Sequence, residues 1–96
     1  MNYLNKILSD ERLDEIIWGY DMDILHGLED ENVEAILSFL IANGASFWEE
    51  IIVYYLDLFL LDVDDFIEKY RLLQCKYPRE FVCLEENMNL LEEMWN

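Results

Sequence analysis

Apolar positions recur at helical spacing along almost the whole chain. Val33, Ile36, Leu37, Leu40 and Ile41 follow the i, i+3, i+4, i+7, i+8 rhythm of one buried helix face. Asp30 is placed to cap this helix, and Gly44 to end it in the left-handed conformation that only glycine adopts freely. Ser46 and Glu49 have the spacing of a capping box, so a further helix is predicted from Phe47 to about Tyr55. Leu58 to Leu61 reads as a short apolar link of one turn. Asp62 can cap the next helix, in which Val63, Phe66, Ile67 and Tyr70 share a face. Pro78 interrupts or restarts the chain. A last helix is predicted over Glu86–Trp95, with Met88, Leu91 and Trp95 inward.

The first thirty residues carry a weaker pattern. Leu4, Ile7 and Leu8 form one helical piece. Leu13, Ile16, Ile17 and Tyr20 form a second, with Ser9 or Asp10 as its cap. Gly19 and Gly27 lower helix propensity, which leaves Asp21 to Leu28 as one short turn. Strand alternation is absent, and the β-prone run Ile51–Tyr55 follows a helix-start signal. The expected fold is all-α, a compact bundle of five or six short helices in a single domain spanning residues 1–96.

Charge changes this picture from a generic bundle to a specialised one. The chain has 96 residues, 22 Asp and Glu, six Lys and Arg, and a formal charge of −16. From Leu13 to Glu68 there are fifteen carboxylates and no Lys or Arg. Apolar residues make up 54% of the chain, which separates it from disordered acidic tails. Like charges repel in a compact state, and a few acids would suffice for solubility, so this excess calls for a partner. Phosphates and anionic lipids would be repelled, which disfavours direct nucleic-acid binding and membrane binding. The first six residues hold no apolar signal core, and the apolar run Ile51–Leu61 is too short to span a bilayer. Cys75 and Cys83 are too few for a disulfide framework and read as reduced, small core residues of a cytoplasmic protein.

The stretch Val33–Leu73 resembles one repeat of the mitochondrial transcription termination factor family. The resemblance is carried by ILSFLIANGAS followed by EEIIVYYLDLFLLDVDDFIEKYRLL. It implies a Leu-rich helix, a glycine turn, a second helix, a short apolar turn and a third helix. The family's usual Pro is absent, with Leu56 near its place. The basic surface through which that family binds nucleic acid is replaced here by acids, so no functional residue carries over.

Candidate chemistry is sparse. His26 is the single His, and it lies in the expected turn as a surface or packing residue. The clusters Asp21/Asp23 and Asp62/Asp64/Asp65 lack the Gly and Glu of a calcium loop, which points to caps and solvated acids rather than metal ligands. No motif for a cofactor or for catalysis is present. Carboxylates do recur at i, i+3 and i, i+4, as in Glu31/Glu34, Asp10/Asp14 and Asp64 or Asp65 with Glu68, about 5–6 Å apart at Cβ. A rigid lattice of negative charge can occupy a protein groove built for phosphates. The expected binding residues are Asp21, Asp23, Glu29, Asp30, Glu31, Glu34, Asp62, Asp64, Asp65 and Glu68, with Phe47, Trp48, Tyr54 and Tyr55 as candidate anchors. In size and charge the chain is similar to small acidic phage anti-defence proteins of the anti-CRISPR and DNA-mimic kind. The expectation is therefore a non-enzymatic inhibitor of a basic nucleic-acid-handling protein, acting as a monomer or homodimer. An immunity protein against a basic nuclease toxin is one alternative, and a structural or adaptor domain another.

Overall fold

The computed structural model describes residues 2–95, and the side chains of residues 3–94. Seven α-helical segments occur among them: α1 Asn2–Ile7, α2 Asp10–Gly19, α3 Met22–Gly27, α4 Asp30–Ala42, α5 Trp48–Tyr54, α6 Val63–Lys76 and α7 Pro78–Val82. Three 3-10 segments, Leu56–Leu60, Leu84–Glu86 and Met88–Trp95, complete them. The protein is all-α, with more and shorter segments than the five or six expected. No strand occurs among the described residues. The Cα radius of gyration is 12.9 Å, close to the ~13 Å of a compact chain of about this length.

α4 is the hub, and α1, α5, the turn Leu56–Leu60 and α6 all pack on it. Val33, Ile36, Leu37 and Leu40 are its buried stripe. They meet Leu4 and Leu8 from the N-terminal piece, Ile16 from α2, Ile51 and Ile52 from α5, and Leu56, Leu58 and Phe59 from the turn. A run of rings continues this core toward the C-terminus. Phe39 stands edge-on to Tyr70 at 5.3 Å, Phe66 stacks on Tyr70 at 6.0 Å, and Phe81 of α7 meets Tyr70 edge-on at 5.2 Å. Such aromatic pairs stabilise by about 0.5–1.5 kcal/mol each beyond their buried area. No polar or charged side chain is buried among the described residues, so every described carboxylate keeps some contact with water.

Several local expectations need correction. Ile17 and Ile41 are 48% and 54% exposed, because each lies one residue beyond the stripe that neighbouring helices cover. Asp30 does not cap α4. Glu29 is the cap residue, in extended conformation and without a side-chain hydrogen bond. Asp30 instead accepts from the Tyr3 backbone N–H at 3.3 Å, tying α4 to the first turn of α1. The capping box at Ser46 does not form. Gly44, at φ +82°, closes α4 in a Schellman motif, with Ala45 N donating to Leu40 O at 3.0 Å and Gly44 N to Ile41 O at 3.1 Å. Ala45 is buried by this closure, and the chain needs two more residues to turn. α5 therefore starts at Trp48, with Phe47 as its cap.

Other signals act as anticipated. The Ser9 side chain caps α2, Asp62 caps α6 by accepting from Asp64 N at 3.2 Å, and Pro78 opens α7. The final segment is a 3-10 helix rather than an α-helix. Its apolar residues are spaced by three: Leu91 and Met94 are buried and Met88 is half-buried, which matches three residues per turn. The Trp95 side chain, expected inward, lies outside the described residues. Cys75 and Cys83 are free and exposed, not core residues: Cys75 lies on the outward side of α6, and Cys83 in the turn between α7 and Leu84–Glu86.

Candidate protein-binding surface

Asn32 organises the acidic surface. It is the third residue of α4, and its side chain reaches across to the junction between the turn Leu56–Leu60 and α6. Its Nδ2 donates to Leu61 O at 2.7 Å and to Phe59 O at 3.3 Å. Its Oδ1 accepts from Val63 N at 2.9 Å, satisfying one of the orphan donors at the start of α6. This one amide therefore fixes two helix N-termini against each other. Glu29, Asp30, Glu31 and Glu34 stand on the first turns of α4. Asp62, Asp64, Asp65 and Glu68 stand at the start of α6.

Glu29 and Asp62 line one depression of about 220 Å³, together with Gly27, Asn32, Phe59 and Leu60. A Cβ at Gly27 would approach Leu60 Cδ2 to 3.0 Å, a tight contact that the exposed Leu60 side chain would have to relieve by shifting. Nine of the ten expected binding carboxylates are exposed, and Asp30 is half-buried. Asp21 and Asp23 do not share this depression. They open α3, beside Tyr20, whose hydroxyl donates to Val53 O at 2.8 Å and accepts from Leu56 N at 3.1 Å. They thus follow the opposite end of the turn from the one that Gly27 meets.

The helix macrodipole accounts for part of this pattern. Carboxylates on a first turn stabilise a helix by about 0.3–1 kcal/mol each, which applies to Asp30, Glu31, Asp64 and Asp65. Glu34 and Glu68 lie beyond the first turn, where that effect has faded. Cations do little to neutralise the surface. Arg12 is held by Glu15 at 3.2 Å, Glu50 at 3.5 Å and Glu49 at 3.8 Å, bridging α2 to α5. The hydrogen bond to Glu15 is the main cause that raises its pKa. Lys76 is paired with Glu93 at 3.2 Å. Among the described residues, none of the nine candidate carboxylates other than Asp30 is in an ion pair with a Lys or Arg.

The expected aromatic anchors are mostly elsewhere. Phe47, Trp48 and Tyr55 pack against the core, and only Tyr54 is exposed, at 63%. Trp18, which sequence reasoning did not single out, is 88% exposed. Its position was legible, because Glu11, Asp14 and Glu15 precede it by seven, four and three residues and mark the solvent side of α2. Asn32 left no comparable signal, since its partners lie 27 to 31 residues away.

No group of three or more His, Cys, Asp or Glu among the described residues is arranged to hold a metal ion. No helix among them is long and apolar enough to cross a membrane. From α4 to α6 the chain runs as helix, glycine turn, helix, 3-10 turn and helix. Comparison of the chain with protein-family models, with curated proteins and with solved structures finds no match.

Proposed function

We propose that this protein is a non-enzymatic inhibitor that occludes the nucleic-acid groove of a basic protein, in the manner of anti-CRISPR and DNA-mimic proteins. The observation that carries the reading is the pair of acidic helix N-termini locked together through Asn32, in a stretch from Leu13 to Glu68 without one Lys or Arg. Preorganised carboxylates lose little freedom on binding, and a uniform sign of charge steers a cationic partner into contact. Nucleic acid itself and anionic membranes are repelled by the same field. The reading carries with it a cytoplasmic setting and needs no cofactor.

The test begins with capture of partners from the native host and their identification by mass spectrometry. A basic nucleic-acid enzyme should be recovered, and its association rate should fall by roughly tenfold as salt rises from low to moderate. Replacing Asp62, Asp64 and Asp65 with Asn should slow association more than it speeds release. Asn caps a helix about as well as Asp, so the fold should survive this change. An association rate indifferent to salt would overturn the proposal. An immunity protein would use the same electrostatics, and a nuclease toxin encoded beside it would select that alternative.

A further inference from the structure

Charge is segregated along the chain. Residues 1–68 hold seventeen of the 22 carboxylates and two of the six cations, a net −15; residues 69–96 hold five and four, a net −1. The boundary falls inside α6, the longest helix. Asp64, Ile67, Glu68, Arg71, Leu72 and Cys75 form its outward side and line a shallow groove of about 340 Å³. Their spacing of three and four residues places them on one continuous helix face.

Three features of this face are unexplained by the monomer. Leu72 is 62% exposed, and it also walls a second groove of about 230 Å³ that Lys69 and Lys76 line. Arg71 lies over the Phe39 ring at 5.8 Å, yet among the described residues it is in no ion pair. Among the described residues Glu68, one turn away, is also in no ion pair.

We propose that a second copy of this chain covers this face, with α6 lying antiparallel on α6 across a two-fold axis that passes between Lys69 and Tyr70. In that register Glu68 meets the partner's Arg71 at the seam, with Ile67 and Leu72 on its two flanks. The two-fold axis repeats the Glu68–Arg71 pair. An antiparallel approach is the one that sets the acidic N-terminal half of α6 against the basic C-terminal half. A strongly cationic partner is disfavoured here by Lys69, Arg71 and Lys76. One helix face is small for an interface, so the dimer is weak and concentration-dependent. It shares Asp64 and Glu68 with the proposed inhibitory surface, while Glu29, Glu31 and Asp62 lie outside the pairing register, and self-association is read without any other protein present.

Sedimentation equilibrium of the purified chain tests this without any partner. At roughly 0.15 M salt, where charges are screened beyond about 8 Å, the mass should rise above 11.6 kDa toward twice that value as protein is concentrated. Leu72→Asp, Glu68→Arg and Arg71→Glu should each weaken self-association at least tenfold. The double variant Glu68→Arg/Arg71→Glu should restore it, although it lacks the Arg71–Phe39 contact. All these side chains are exposed, so helical circular dichroism should be unchanged. A wild-type mass that stays at the monomer value up to about 1 mM, a dimer that survives Leu72→Asp, or a double variant that stays monomeric would overturn the proposal.

Discussion

Replacing Asn32 with Ala should both destabilise the fold and loosen the acidic surface. The change removes two donations, to Leu61 O and Phe59 O, and one acceptance, from Val63 N. An ordinary hydrogen bond contributes about 0.5–1.5 kcal/mol net. The 3.3 Å contact to Phe59 is the weakest of the three. The depression beside Asn32 admits water to the carbonyls left behind, which limits the desolvation cost. We expect a loss of about 2 kcal/mol, which lowers the melting temperature by roughly 10 °C for a domain of this size. Urea unfolding followed by circular dichroism should show a midpoint lower by roughly 1 M with an unchanged slope. Asn32→Asp is the sharper variant. It keeps an acceptor for Val63 N but sets a carboxylate against two carbonyl oxygens, near Glu29 and Asp62. It should be less stable than Asn32→Ala at pH 7. That carboxyl would titrate above the ordinary value of about 3.9, so its deficit should shrink as pH falls and the proton returns. An Ala variant within about 0.5 kcal/mol of wild type, where neutral surface changes fall, would refute this account. An Asp variant as stable as Ala at neutral pH would do the same.

Further outcomes follow from Tyr20 and the glycines. Tyr20→Phe leaves the Leu56 N–H and the Val53 carbonyl without their partner and should cost about 1–3 kcal/mol in thermal unfolding; a melting temperature equal to wild type would sink that role. Burial raises the pKa of Tyr20 and of Tyr70. Their contribution is fully present below the ordinary tyrosine value of about 10 and is lost as pH rises through the folded values. Melting temperature should therefore drop steeply above about pH 10, and a flat profile there would contradict it. Gly44→Ala should cost about 1 kcal/mol, because φ +82° strains any residue with a Cβ. Gly19→Ala should be neutral or stabilising by up to about 1 kcal/mol, since its Cβ would meet nothing within 4 Å. Equal effects of the two substitutions would remove the Schellman closure as the reason for Gly44.

By itself the sequence determined that this chain is helical and where most of its helices begin. Val33, Ile36, Leu37 and Leu40 announce α4, while Ser9, Asp62 and Pro78 mark starts that local hydrogen bonds and fixed φ angles enforce. It also determined the sign and reach of the charge, because carboxylates with no cation to pair must stay wet. Tertiary structure decided the rest. Whether Ile17, Ile41 or Trp48 is covered depends on which helix lies across it, and periodicity within one helix carries no such information. The Schellman motif after α4 overrode the capping signal at Ser46, because closing one helix displaced the start of the next. The joining of the α4 and α6 N-termini was invisible in the sequence for the same reason. It rests on one side chain whose partners are brought near only once α4 and α6 have packed.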